Sequence, residues 1–135
     1  MSRTVLITGA TKGLGTAMAE RFFNDGYQIV ISGTSEDVSK QLASKLDPSG
    51  ERAVGMELNV REKRAFEAGL ELAINKFGKC DVLINNAAMT PTTSVMDISA
   101  EEFDDVISTN LRGTFFVVRC LDSILPIKIT GVLSI

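Results

Sequence analysis

Two kinds of apolar pattern alternate along the chain. Short runs of β-branched and other apolar residues are typical of buried parallel strands, and apolar residues that recur every three or four positions are typical of amphipathic helices. The short runs predict strands over residues 4–8, 28–32, 53–58, 81–85 and 131–135. The periodic segments predict helices over residues 13–24, 36–46, 61–77 and 99–124.

The fourth predicted helix carries the clearest boundary signals. Ser99 followed by Glu102 is the pattern of a capping box, and Pro126 marks the end of the helix. Its inward face is predicted to consist of Phe103, Ile107, Thr114, Val117, Val118 and Leu121. Asn110 falls on the same predicted face, three residues after Ile107.

Strands that alternate with helices in this way indicate right-handed βαβ units and a parallel sheet with helices on both faces. The chain has no internal repeat and no linker-like segment, so residues 1–135 are predicted to form a single α/β domain. Residues 87–97 are predicted to be the one long polar loop.

The composition of the chain argues against two classes of function, nucleic-acid binding and membrane association. Apolar residues make up 44% of the 135 residues and charged residues 23%, which is usual for a globular domain. The net charge of −3 lacks the basic footprint of a nucleic-acid-binding protein. The apolar runs are far too short for a membrane span or a signal-peptide core. We therefore expect neither a nucleic-acid partner nor a membrane partner.

The titratable residue types limit the chemistry. Histidine is absent, which excludes His-based nucleophilic catalysis and His-ligated metals within these residues, and no metal site is predicted. Cys80 and Cys120 have neither metal-ligand nor redox spacing, which favours a reduced, cytoplasmic setting.

A glycine-rich turn follows the first predicted strand, with Gly9, Gly13 and Gly15 at the point where the first helix begins. Backbone N–H groups at a helix N-terminus and the helix dipole both favour an anion, and glycines let a pyrophosphate come close. A turn that only packs the helix against the sheet is the alternative. The position at the first strand–helix junction favours a nucleotide phosphate site.

Three stretches together resemble the short-chain dehydrogenase/reductase family. TGATKGLG (8–15) is similar to its T-G-x3-G-x-G motif, NNAA (85–88) to its N-N-A-G motif, and STNLRGTF (108–115) to the helix that carries a catalytic asparagine. The resemblance extends over essentially the whole chain. It implies a Rossmann-type doubly wound parallel sheet of strand order 3-2-1-4-5, incomplete at its C-terminal side, and an NAD(P) cofactor.

The resemblance also implies the site residues. The implied cofactor contacts are Gly9, Ala10, Thr11, Lys12, Gly13, Leu14, Gly15, Gly33, Thr34, Asn59, Val60, Asn86, Ala87 and Ala88. Asn59 and Val60 are equally interpreted as ordinary strand-end residues. Ala88 stands where the family usually has glycine, and a positive φ at that position would cost an alanine about 1 kcal/mol.

The end of the second strand bears on the choice of cofactor. Residues 32–35 read SGTS, with no acid before Glu36 to bind a ribose 2′-OH. Hydroxyls and a nearby cation favour a 2′-phosphate instead. Lys12 matches a basic position that NADP-preferring members often carry, although a solvated surface lysine is the alternative. The sequence therefore predicts NADP(H).

GTSE (33–36) and ELNV (57–60) resemble the 3-oxoacyl-[acyl-carrier-protein] reductase branch of the family. That resemblance implies reduction of a 3-oxoacyl thioester, or another carbonyl, to a secondary alcohol in fatty acid biosynthesis. The implied partner is a small-molecule substrate, free or bound to acyl-carrier protein. The full-length form is expected to be a homo-oligomer.

Asn110 has two interpretations. A buried amide needs hydrogen-bond partners, so one interpretation is a core asparagine bonded to nearby backbone. The resemblance implies a catalytic residue that bends the helix locally and holds a proton-relay water.

The other catalytic residues of the family, a serine and a Tyr-x3-Lys pair, find no match in these residues. Tyr27 is the only tyrosine, no lysine follows it at that spacing, and Ser134 falls within the predicted fifth strand. We therefore expect the chain to be a truncated, cofactor-binding part of an enzyme that is inactive alone. A catalytically inactive nucleotide-binding or interaction subunit is the alternative.

Overall fold

The computed structural model describes residues 2–124 and 132–134, with side-chain surroundings up to Cys120. Within these residues one parallel sheet contains β1 (Thr4–Ile7), β2 (Gln28–Gly33), β3 (Ala53–Glu57), β4 (Val82–Asn85) and β5 (Val132–Ser134). The strands lie in the order β3-β2-β1-β4-β5. The predicted doubly wound Rossmann topology is confirmed.

Helices connect the strands as the periodicity predicted. They are α1 (Gly13–Asn24), α2 (Glu36–Leu46), α3 (Lys63–Phe77), α4 (Ala100–Ile107) and α5 (Thr114–Ile124). A π-helical turn, Ser108–Gly113, joins α4 to α5 inside the predicted fourth helix. Pro126, the predicted end of that helix, lies outside the described residues.

The central strand β1 explains why the strand runs are continuously apolar. Leu6 pairs with Val30 of β2 on one side and with Leu83 of β4 on the other. All four residues of β1 are buried. A strand covered by helices on both faces has no polar side, so its sequence shows no alternation.

The core has two layers, one on each face of the sheet. On one face α3 and α5 pack against the sheet, through residues that include Phe66, Leu70, Ala73 and Val117. On the other face α1 and α2 pack through Ala19 and Ala43 against Val5, Ile7, Ile29 and Ile31. This arrangement leaves the carboxyl ends of the strands free to form a cleft.

The capping signal at Ser99 is confirmed in one of its two hydrogen bonds. The Ser99 side chain accepts a hydrogen bond from Glu102 N at 3.1 Å. The Glu102 carboxylate does not bond back to Ser99 but accepts from Thr93 Oγ1 at 2.9 Å. Helix α3 begins two residues later than predicted, because Glu62 N donates to Asn59 O and closes a turn before it.

The predicted inward face of the fourth helix was wrong at Phe103 and Ile107. Their side chains are 53% and 40% exposed, and α4 has no buried residue. Val117 in α5 is buried as predicted, while the side chain of Leu121 lies outside the described residues. A π-helical turn adds a residue to the helical repeat, so apolar positions spaced for one continuous α-helix no longer share a face across it.

Candidate functional site

A cleft of about 470 Å³ opens at the carboxyl ends of the strands, around the point where the strand order reverses at β1. Open α/β sheets bind ligands at such switch points. The cleft is lined by Gly9, Thr11, Lys12, Leu14, Gly15, Gly33, Thr34, Leu58, Asn59, Val60, Arg61, Asn86, Ala87, Ala88, Met89 and Thr109. Five separate stretches of the chain therefore meet at one site.

The structure brings nearly all the predicted cofactor residues together. Only Ala10 and Gly13 of that set are not part of the lining, and Ala10 is fully buried beneath it. Leu58, Arg61, Met89 and Thr109 line the cleft and were not predicted. Each is next in sequence to a residue that was, so widening each motif by one position would have found them.

Two glycines are required by close packing inside the site. A Cβ on Gly15 would lie 2.3 Å from the carbonyl oxygen of Gly9 and 2.6 Å from Asn86 Nδ2. Gly9 has a φ of +61°, and a Cβ there would lie 2.7 Å from the Cα of Ala87. The glycine turn therefore packs directly against the segment that follows β4.

Hydrogen bonds from Thr8 and Asn86 fix this contact. Thr8 Oγ1 accepts from the backbone N–H groups of Asn86 and Ala87, both at 3.1 Å. In return Asn86 Nδ2 donates to the carbonyl oxygens of Thr8 at 3.1 Å and Gly9 at 2.9 Å. Asn86 therefore holds the glycine turn in place as well as lining the cleft.

The start of α1 has no side chain that satisfies its first backbone N–H groups. The N-cap residue Lys12 makes no capping hydrogen bond, and the first turn contains no acidic residue. The cleft lining contains two cations, Lys12 and Arg61, and no aspartate or glutamate. A helix N-terminus beside cationic side chains fits a phosphate-bearing ligand.

At the end of β2 the four residues of SGTS have separate roles. Ser32 Oγ is buried and donates to the carbonyl oxygen of Ile7 at 2.9 Å. Ser35 caps α2 by accepting from Val38 N at 3.4 Å. Gly33 and Thr34 line the cleft. Of the three hydroxyl side chains in SGTS, only that of Thr34 belongs to a residue of the cleft lining.

Asn110 lies on the π-helical turn and pairs with the backbone of Met89. Its Oδ1 accepts from Met89 N and its Nδ2 donates to Met89 O, both at 2.8 Å. The expected backbone partners are present, but Asn110 is exposed and not in the core. Asn110 does not itself line the cleft, whereas Met89 and Thr109 do.

The family model of the short chain dehydrogenases matches residues 3–131. The chain belongs to this family. Diacetyl reductase [(S)-acetoin forming] from Staphylococcus epidermidis is 34% identical over 119 residues, which cover 88% of this chain and 46% of that protein. 3-Oxoacyl-[acyl-carrier-protein] reductase FabG from the same species is 29% identical over 127 residues, or 93% of this chain and 51% of that protein.

Solved structures show the same similarity. A 3-ketoacyl-(acyl-carrier-protein) reductase from Brucella melitensis, complexed with NADH, superimposes with a TM-score of 0.80 at 30% identity. The match covers 88% of this chain and 48% of that one. The chain thus spans about half the length of the relatives it matches. The matched family is that of the short chain dehydrogenases, and the matched Brucella reductase was solved with a nicotinamide cofactor.

Two details of this short-chain dehydrogenase differ from the usual family pattern or bear on its chemistry. Ala88 does not have a positive φ, so the alanine in place of glycine carries no backbone strain. Cys80 is partly buried, and burial raises the pKa of its thiol to about 11, which makes it a poor nucleophile.

Within the described part of the chain, no group of three or more His, Cys, Asp or Glu side chains is placed to hold a metal ion. Over the same residues, no helix is both long enough and apolar enough to cross a membrane.

Proposed function

We propose that this chain is the cofactor-binding part of an NADP(H)-dependent reductase that converts a carbonyl group to a secondary alcohol. The observation that carries the proposal is the cleft at the switch point, with Lys12 and Thr34 in its lining and no acidic side chain. An acid at the end of β2 would bind a ribose 2′-OH and repel a 2′-phosphate.

The residues present fit such a cofactor. The glycine turn and the start of α1 would hold the pyrophosphate, Lys12 and Thr34 the 2′-phosphate, and Asn86–Ala88 the nearby ribose. When bound, the nicotinamide supplies the hydride. Asn110 Oδ1 and Nδ2 each make one hydrogen bond to Met89, and each keeps a further lone pair or hydrogen with which it could hold the relay water that we propose.

We propose a 3-oxoacyl thioester, free or carried by acyl-carrier protein, as the substrate, which would place the enzyme in fatty acid biosynthesis in the cytoplasm. The match to the FabG relative over 93% of this chain supports this assignment. The diacetyl reductase relative supports a smaller diketone instead. The sequence has two cysteines without redox or metal-ligand spacing, which is in keeping with a reducing compartment.

The cofactor assignment is tested by titrating the purified chain with NADPH and with NADH and following the nicotinamide fluorescence. We expect NADPH to bind more tightly, and Lys12→Ala to lose that preference. Lys76→Ala is the control, since Lys76 is an exposed lysine in the last turn of α3, away from the cleft. Tighter binding of NADH, or an unchanged NADPH preference in Lys12→Ala, would contradict the assignment.

A second candidate function is a nucleotide-binding subunit without catalysis. It is compatible with the 135 residues, which contain no Tyr-x3-Lys pair. We expect no NADPH oxidation by this polypeptide alone with 3-oxoacyl thioesters or diacetyl, because the general acid is missing. Turnover in the ordinary enzyme range of about 1–10³ s⁻¹ would mean that another residue supplies the proton.

We also propose that the full-length form self-associates. Four large apolar side chains on the α4–α5 segment are exposed: Phe103, Ile107, Leu111 and Phe115. Large exposed apolar patches mark interaction surfaces.

A further inference from the structure

Helix α4 has no fully buried residue, and two of its side chains make hydrogen bonds to other parts of the described protein. Arg61 Nη2 donates to Asp105 Oδ1 at 2.6 Å, and Thr93 Oγ1 donates to Glu102 Oε1 at 2.9 Å. The second of these bonds reaches only the 87–97 loop. Among the described residues, the Arg61–Asp105 ion pair is the one hydrogen-bonded link between α4 and the β3 side of the sheet.

Arg61 belongs to a turn that is firmly fixed to the sheet. Its own N–H donates to Asn59 Oδ1 at 3.1 Å, and Glu62 N donates to Asn59 O at 2.9 Å. Just before the turn, Leu58 N donates to the carbonyl oxygen of Gly33 at 2.7 Å. Arg61 also lines the cleft. The backbone of Arg61 is therefore held at the β3 rim of the cleft.

The same helical segment touches this rim at a second point. A Cβ on Gly113 would lie 3.0 Å from both Val60 Cγ2 and the Val60 carbonyl oxygen, so the helix backbone packs on Val60. Thr109, which lines the cleft, lies midway in sequence between Gly113 and Asp105. Contacts at both ends of the 105–113 segment, together with the Asn110–Met89 hydrogen bonds, thus determine where Thr109 lies relative to the rim.

We propose that Arg61 and Asp105 are positioning residues whose ion pair holds α4 and the π-helical turn against the β3 rim, and thereby sets the width of the cleft. The ligand part of this inference rests on the proposed nucleotide-binding function. Without the pair, the described residues of α4 keep no hydrogen bond to that rim. The position of Thr109 then depends on the Gly113–Val60 contact and on the Asn110–Met89 hydrogen bonds alone.

The competing role for Arg61 is direct contact with an anionic group of the nucleotide. The two roles differ in what they require of Asp105. A positioning pair needs both partners, so removing either charge has the same effect. If the guanidinium of Arg61 binds the nucleotide itself, Asp105 competes with the nucleotide for it. Neutralising Asp105 would then leave the affinity for the nucleotide unchanged or make it tighter.

The test compares Arg61→Gln, Asp105→Asn and the charge-exchanged double variant Arg61→Asp with Asp105→Arg. Matched controls are Arg64→Gln and Asp104→Asn, which remove the same charges from exposed neighbours that have no ion pair among the described residues. NADPH affinity is measured at low and high salt. Hydrogen–deuterium exchange is measured without ligand at the Arg61 and Glu62 amides and along α4.

We expect each single variant to weaken NADPH binding about two- to fivefold, which is the range of a partly exposed ion pair. We expect the charge-exchanged variant to recover most of that loss, and high salt to weaken the wild type toward the single variants. Exchange along α4 should be faster in the single variants and unchanged in both controls.

Two outcomes would overturn the inference. One is a loss of tenfold or more in Arg61→Gln with no loss in Asp105→Asn, which would make Arg61 a direct ligand of the nucleotide. The other is unchanged exchange along α4 in both single variants. If the wild type binds neither NADPH nor NADH, the proposed function fails, and the ligand-free exchange measurement still decides whether the ion pair holds α4.

Discussion

The side-chain amide of Asn110 makes hydrogen bonds to both the backbone N–H and the backbone carbonyl of Met89, at 2.8 Å each. The pair joins the π-helical turn to the segment after β4 that lines the cleft. It is the contact that ties the two sides of the cleft entrance together at that point.

Asn110→Ala is expected to lower the free energy of unfolding by about 1 kcal/mol, because two hydrogen bonds of ordinary net strength are lost at an exposed site. Urea denaturation followed by circular dichroism measures the change. Asn75→Ala is the control, since Asn75 is an exposed asparagine of α3 with no side-chain hydrogen bond among the described residues. Equal stability of the two variants would show that the Met89 pairing does not stabilise the fold.

Gly15→Ala and Gly13→Ala should both lower the stability of the fold, but for different reasons. At Gly15 the new Cβ would collide with backbone and with Asn86, and we expect a loss of about 1–3 kcal/mol together with weaker nucleotide binding. At Gly13 a Cβ would meet no atom within 4 Å, but the φ of +56° costs an alanine about 1–2 kcal/mol. Gly13→Asn should recover part of that loss, because asparagine tolerates a left-handed backbone. Recovery by asparagine at Gly15 as well would contradict this distinction.

Asp47 predicts a pH dependence of stability. Its carboxylate accepts from Ser49 Oγ at 2.6 Å and from the backbone N–H groups of Arg52 at 2.6 Å and Ala53 at 3.1 Å. These bonds, that from Ser49 foremost, lower its pKa to about 2. Because the pKa is lower in the folded than in the unfolded chain, the stabilisation is present above about pH 4 and is lost as the pH falls toward 2.

Asp47→Asn should therefore flatten the stability profile between about pH 4 and pH 2, with thermal melts across that range as the measurement. Asp97→Asn is the matched control, because Asp97 is exposed and its side chain has no hydrogen bond among the described residues. A profile for Asp47→Asn that still falls as steeply as the wild type would show that other carboxylates dominate.

The exposed apolar residues of the α4–α5 segment predict self-association of the purified chain. Leu111→Glu and Phe115→Glu should each raise the dissociation constant at least about tenfold, since burying either side chain is worth about 1.5–3 kcal/mol. Analytical ultracentrifugation measures the change. Met96→Glu is the control, because Met96 is 89% exposed but lies in the loop before α4. A monodisperse wild-type monomer would rule out this surface as an interface.

The strands and most of the site could be predicted because their signals are local. A buried parallel strand such as β1 needs a continuous apolar run. The turn before α1 needs glycine at position 15, because a Cβ there would overlap neighbouring atoms. Both requirements determine the residue types at a few adjacent positions. The order of these local patterns along the chain indicates the fold family.

The face of α4 could not be predicted in the same way. Periodicity identified Phe103 and Ile107 as apolar neighbours, but not what covers them, and the π-helical turn that offsets them from Val117 has no periodic signal. The Arg61–Asp105 pair was missed for a related reason, because residues 44 apart in sequence are brought together only by the finished fold.

The lining of the cleft is drawn from stretches that extend from Gly9 to Thr109, so it exists only after the sheet has assembled. A molecule that occupies it recognises the native chain and not the unfolded one. Occupancy and folding are then linked equilibria, and a nucleotide at a hundred times its dissociation constant would add about 2.7 kcal/mol to the stability. In a cell, the concentration of the nucleotide would therefore influence how long each copy of this protein survives proteolysis.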